Sequence, residues 1–196
     1  MKIIKPSIEL LWYTSNPEKA IELAGRTCYK SEAKITDISS GKFCKSLVER
    51  GHLAMVEHAV ASFRIICDRG VSHELVRHRL CSFAQESTRY VNYKEGLVVI
   101  EPPYLDDLSK CKWESAMLFA ENIYKDMIVA GVKPEIARSV LPNSLKTEIV
   151  ITANFREWLK IIELRTSKFA HPQIREVITL IEKKLQEISP NVFILK

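Results

Sequence analysis

The sequence predicts a mixed α+β fold, and three observations carry that prediction. Strand-like and helix-like stretches interleave along the chain, no glycine fingerprint of a dinucleotide-binding βαβ unit occurs, and no internal repeat is visible. At 196 residues the chain suits one domain, 1–196, with a small sheet flanked by helices. Its 46% hydrophobic and 27% charged residues are those of an ordinary globular protein.

Ile8 to Tyr13 reads as a short apolar strand, and Asn16-Pro17-Glu18 supplies a cap, an N1 proline and an early acid for a helix running towards Tyr29. Asp37 to Arg50 carries Ile38, Phe43, Leu47 and Val48 at helical intervals, with Gly51 where a C-cap glycine belongs. From Ala59 to Cys67 the odd positions are apolar, whereas Ser62, Arg64 and Asp68 fall on the other face, the pattern of a half-buried strand. Asp68-Arg69-Gly70 predicts a turn and Ser72 to His78 a short helix capped by Ser72, with a loop beyond. Tyr90 to Tyr93 and Leu97 to Ile100 flank Lys94-Glu95-Gly96 and predict a hairpin before Pro102-Pro103.

Leu108 to Ala130 is the longest helical pattern, stopped by Gly131. Pro134 starts a short helix holding Glu135 and Arg138, and Pro142-Asn143 ends it. Thr147 to Ala153 alternates as a strand, Asn154 caps a helix through Arg165, and a last helix runs from about His171 to Ile188.

Composition excludes several classes of function. The net charge of +5 is modest and spread along the chain, so bulk nucleic-acid affinity is not expected. No stretch approaches the ~18 apolar residues of a membrane span, and no secretion signal opens the chain, so a cytoplasmic protein without a membrane partner is expected. Cys28, Cys44, Cys67, Cys81 and Cys111 form no C-x-x-C pair and read as reduced thiols. The histidines lack the spacing of a zinc hydrolase, and no metal is expected.

Chemistry concentrates in Arg77 to Tyr90, where three guanidiniums, an imidazole, a carboxylate, a carboxamide and two serine hydroxyls fall within fourteen residues. Forked guanidinium donors suit planar, polyanionic ligands such as nucleotides. Arg77-His78-Arg79 alone also reads as a solvated basic helix end, favoured by the helix dipole. Phe83, Tyr90 and Tyr93 place the segment near the core, where unpaired guanidiniums are costly and anionic ligands relieve the cost.

Arg77-His78-Arg79, seven residues and then Ser87 resembles the signature of flavin-dependent thymidylate synthases. The segment Ser87-Thr88-Arg89-Tyr90-Val91-Asn92-Tyr93 resembles the same family. Gly51-His52 through Glu57-His58, Glu135 through Pro142, and Asn154 with Glu163-Leu164-Arg165 resemble its other motifs, in family order. The resemblance implies an enzyme that makes thymidylate from deoxyuridylate (dUMP). It takes the one-carbon unit from 5,10-methylenetetrahydrofolate and electrons from NADPH through FAD, in a homotetramer with sites at subunit interfaces.

By the family pattern His52, Arg77, His78, Arg79, Gln85 and Asn154 meet FAD, with Lys160 expected there too at a position that departs from the pattern, and Glu74, Arg77, Gln85, Glu86, Ser87, Arg89, Arg138 and Arg165 meet dUMP. Arg165 is the expected catalytic residue, a fixed positive charge that stabilises the deprotonated pyrimidine and makes C5 nucleophilic without a covalent adduct to protein. Without the resemblance it reads as a basic helix end. Ser87 and Cys81 could each be read as nucleophiles, but no Ser-His-Asp set can be assembled and Cys81 occupies a free position of the motif. Lys160 and Ala54 stand where relatives often carry other residues. A different reading is a nucleotide or RNA-binding module that uses the same arginines with Phe83, Tyr90 and Tyr93 as stacking surfaces.

Overall fold

The structure, a computed structural model, describes residues 1–194. In chain order its strands and helices are β1 (Lys2–Ile4), β2 (Ser7–Tyr13), α1 (Pro17–Cys28), α2 (Ser39–Glu49), β3 (Val60–Asp68), α3 (Arg69–Leu75), β4 (Ser82–Gln85), β5 (Val98–Ile100), α4 (Asp107–Val129), α5 (Pro134–Ala137), β6 (Lys146–Asn154), α6 (Phe155–Arg165) and α7 (Pro172–Ile188). Short 3-10 turns cover Glu32–Lys34, Met55–His58 and Arg138–Val140. The expected α+β class is observed, with β2-β3-β6-β4 as one sheet and β1-β5 as a second. The chain divides into two compact units, one of residues 1–7, 65–77 and 84–149, the other of 8–64, 78–83 and from 150 onward.

The second unit is built around period-two and period-3.6 patterns that meet in one core. Ala59, Ala61 and Phe63 are buried, as alternation predicts, while Arg64 reaches Glu9 at 3.0 Å on the exposed side. Trp158 of α6 packs edge-on against Phe63, ring centroids 5.3 Å apart, and its indole N–H donates to the Ala61 carbonyl at 3.1 Å. That bond lets the largest buried side chain enter the core without an orphaned donor. Helix α7 contributes Ile174, Val177, Ile178, Ile181 and Leu185, one apolar stripe.

Helix ends follow their chemistry. After α2, Gly51 has φ +71°, and the N–H groups of Gly51 and His52 donate to Val48 and Leu47 carbonyls at 3.0 and 2.9 Å. This is the paired closure a left-handed glycine allows. Gly131 closes α4 in the same way, φ +83°, with Val132 N–H on Met127. Asn154 caps α6 as expected, its Oδ1 accepting from Glu157 N–H at 2.9 Å.

Three local expectations are corrected at α3, at Tyr90 to Ile100 and at β4, and a fourth at Asn16. Helix α3 begins at Arg69 and is capped by Asp68, whose Oδ1 accepts from Val71 N–H at 2.9 Å, so the expected turn is already helix and Ser72 lies inside it. Tyr90 to Tyr93 forms no strand, and β5 pairs in parallel with β1, Lys2 opposite Val98 and Ile4 opposite Ile100. A hydrogen-bonding edge from a distant segment wins over the adjacent one because Leu97 and Val99 must reach a core with Met117 and Leu145. The loop beyond α3 contains a strand, β4, that was not expected. Asn16 stands at φ 49° before α1 without a side-chain capping bond, so Pro17 alone opens that helix.

Candidate functional site

In the second unit β4's approach, α6 and the chain after β6 bring together His78, Cys81, Glu157, Lys160 and Arg165. His78 is 6% exposed and Glu157 3% exposed, both far drier than is usual for ionisable groups. The Arg165 Nε–H donates to His78 Nε2 at 3.1 Å. Glu157 Oε1 lies 3.8 Å from His78 Nδ1 and accepts no hydrogen bond, while Oε2 lies 4.0 Å from Lys160 Nζ. Burial first, then the Arg165 and Lys160 charges, lowers the His78 pKa from 6.5 to about 4, so the ring is neutral at physiological pH. Burial and then Glu157 push the Cys81 thiol up to about 12, which leaves it protonated and a poor nucleophile.

Beside this cluster lies a cleft of about 540 Å³ whose wall includes Leu80, Asn154, Arg156, Glu157 and Lys160. Arg156 is held by Glu57 at 2.6 Å. A second cleft, about 520 Å³ and shallower in polarity, has His52, Arg50 and Arg156 at its edge over Phe43 and Met55. Leu53 and Arg156 belong to both walls. Apolar surface edged by several cations is what a planar ligand carrying phosphates requires. Arg79 is exposed and has no side-chain partner among the described residues, so its donors are available to an anion.

In the first unit the remaining expected residues form a different kind of network. Gln85 Nε2 donates to Ser72 Oγ at 2.8 Å and to Thr147 Oγ1 at 3.2 Å. Glu86 is gripped from both sides, accepting from Tyr93 OH at 2.9 Å and Lys146 Nζ at 3.0 Å, and Lys146 also holds Glu148. Burial and the Glu86 hydrogen bond raise the Tyr93 phenol well above its ordinary range. Ser87 Oγ accepts from Arg89 N–H at 3.3 Å, and Arg138 Nη1 donates to Thr88 Oγ1 at 3.3 Å. Arg89 lies 3.8 Å from Glu135 and over the Tyr90 ring, while Glu74 is half-buried and Arg77 exposed. Tyr90 is 80% exposed, so the segment is less buried than its aromatics suggested, and its guanidiniums carry no burial cost.

Sequence reasoning missed Glu157, Lys146 and the clamping role of Tyr93. Glu157 shares a line of α6 with Ile161 and Arg165, at i, i+4 and i+8, and Ile161 is buried. An acid on the apolar line of an amphipathic helix is the signal that would have found it. All five cysteines are free, and among the described residues no group of three His, Cys, Asp or Glu side chains is placed to hold a metal ion. No helix among the described residues is long and apolar enough to cross a membrane.

Comparison with known proteins gives this arrangement its family. The model of the thymidylate synthase complementing protein family matches residues 9–191. The flavin-dependent thymidylate synthase of Geobacter sulfurreducens is 34% identical over 196 residues, covering 95% of this chain and 84% of that protein. The one from Corynebacterium glutamicum is 35% identical over 209 residues, covering 96% and 84%. Among solved structures, the UMP/dUMP methylase PolB from Streptomyces cacaoi, crystallised with 5-Br dUMP, superposes with a TM-score of 0.86 at 22% identity, covering 98% of this chain and 95% of that one. The fold is therefore shared with that enzyme. This chain belongs to the thymidylate synthase complementing protein family, whose curated relatives here are flavin-dependent thymidylate synthases.

Proposed function

We propose that this chain is a flavin-dependent thymidylate synthase that methylates dUMP reductively to dTMP, with FAD as its flavin, 5,10-methylenetetrahydrofolate as one-carbon donor and NADPH as reductant. The observation that carries the reading is the Arg165 to His78 pair. It is a guanidinium fixed by a neutral, buried imidazole beside a cation-edged cleft, within a chain whose relatives carry that activity. The cleft linings fit the cofactor: Lys160 supplies charge for a pyrophosphate, Asn154 and His52 supply polar contacts, and Leu53 and Leu80 supply apolar wall, while Arg79, exposed and outside both linings, adds a further guanidinium to the proposed set. Arg77, His78 and Gln85 complete the proposed FAD-binding residues. Bound flavin supplies the redox chemistry, which belongs to the cofactor.

The residues of the chain do the rest. Glu74, Arg77, Gln85, Glu86, Ser87, Arg89 and Arg138 bind and orient dUMP, several of them as hydrogen-bonded side chains that need little reorganisation. Arg165 places positive charge beside the pyrimidine, stabilising its N3-deprotonated form so that C5 attacks the activated methylene. Cys81, a protonated thiol, forms no adduct. The chain works as one domain in a cytoplasmic homotetramer whose sites are completed at subunit interfaces.

The absorption spectrum of the purified protein tests this reading. An oxidised-flavin spectrum, or one regained on adding FAD, is expected. Colourless protein that takes up no FAD contradicts it.

A further inference from the structure

Glu157 carries a cost that its helix does not explain. Its side chain is 3% exposed, its Oε1 accepts no hydrogen bond, and its nearest cation stands 4.0 Å away at Lys160. A buried carboxylate in that state is unfavourable unless another group gains from its charge. The capping role open to an acid three residues after Asn154 is not used. Asn154 accepts from Glu157 N–H, and the Glu157 carboxylate accepts nothing from Asn154 in return. Oε1 faces Nδ1 of His78 instead.

The protonation of that ring follows from its other side. An arginine Nε always carries hydrogen and only donates, so His78 Nε2, which accepts from it at 3.1 Å, bears a lone pair. A neutral imidazole has one proton, which must then sit on Nδ1, the nitrogen turned towards Glu157. The charged groups facing the ring are the Arg165 and Lys160 cations and the Glu157 carboxylate. Of these only the carboxylate favours a proton on Nδ1. It stands in the first turn of α6, at the positive end of the helix dipole.

We infer that Glu157 is a positioning residue: its carboxylate fixes the Nδ1–H tautomer and ring orientation of His78, and through Nε2 fixes the plane of the Arg165 guanidinium. The ring is a relay of orientation. A flipped tautomer would point Nε2–H at Arg165 Nε–H, two donors face to face, and the guanidinium would turn away. The consequence for turnover rests on the functional reading above, whereas the tautomer does not.

The test uses protein labelled with nitrogen-15 in histidine, loaded with FAD. In the wild type at neutral pH, the His78 ring is expected to show a protonated Nδ1 and an unprotonated Nε2. Glu157→Ala, which keeps helix propensity high, is expected to populate the Nε2–H form and to lower kcat for dUMP by roughly 10- to 100-fold. Glu157→Gln, whose carboxamide oxygen keeps a negative dipole end facing Nδ1–H, is expected to restore the Nδ1–H form and most of the rate. A wild-type ring protonated on Nε2, or ring nitrogens unchanged in Glu157→Ala, overturns the inference, as does a changed tautomer with unchanged kcat. Wild-type protein that binds flavin yet converts no dUMP would sink the functional reading and leave the nitrogen spectrum to decide the tautomer by itself.

Discussion

The two polar networks of this protein differ in how completely they are satisfied. Around Glu86 in the first unit, both carboxylate oxygens, the Lys146 ammonium and the Tyr93 hydroxyl all have partners at 3.0 Å or less. Around Glu157 in the second unit, a drier carboxylate has an oxygen without a hydrogen bond and a histidine nitrogen 3.8 Å away. A closed network holds a loop in shape before any ligand arrives, while an open one keeps its electrostatic tension for what binds beside it. The comparison separates scaffold from chemistry.

The sharpest way to break that separation is at Arg165. Arg165→Ala is expected to lower thymidylate formation by about 100- to 1,000-fold, the scale of losing one electrostatic stabiliser, while most flavin binding survives in titrations. Equal loss of both would make Arg165 a structural residue and erase the distinction between the networks. Glu86→Ala makes the complementary test. Removing the clamp is expected to destabilise the ligand-free protein by about 2 kcal/mol in urea unfolding, and a change near zero would mean the closed network is not a scaffold.

A pH series sharpens the open side. His78 titrates at about 4 in the folded protein and near 6.5 when unfolded. Between these values the unfolded chain binds more protons, so this group's contribution is present above 6.5 and is lost as pH falls towards 4. The loss is at most about 1.4 kcal/mol per pH unit. His78→Asn is expected to flatten the acid limb of the stability curve relative to the wild type, and parallel curves would contradict a buried neutral ring. The smallest effect is expected at Cys81. Cys81→Ala should leave kcat within about twofold, since a thiol held protonated contributes no nucleophile. Complete loss with intact flavin binding would overturn the non-covalent account.

Much of this was legible in the sequence, and what was not has physical reasons. Helices α2, α4, α6 and α7 announced themselves by periodicity and by Gly51, Gly131 and Asn154 at their ends. Strand β5 was read at Leu97 to Ile100, but its partner β1 was not, because a three-residue strand leaves no pattern and the pairing joins segments far apart in the chain. The Arg77 to Arg89 segment was visible as a motif, and its arginines are exposed as an anion site needs. Glu157 was overlooked because Asn-x-x-Glu has the spacing of an ordinary capping box, which masked its place on the apolar line of α6 with Ile161, and its burial against His78 shows that the carboxylate does something else.

Release of tritium from dUMP labelled at C5 tests the central claim most directly, since methylation at that carbon must expel its hydrogen. With FAD, NADPH and 5,10-methylenetetrahydrofolate present, the account predicts release that matches dTMP formed and disappears when the folate is omitted. Flavin-loaded protein that releases no tritium under those conditions would contradict it.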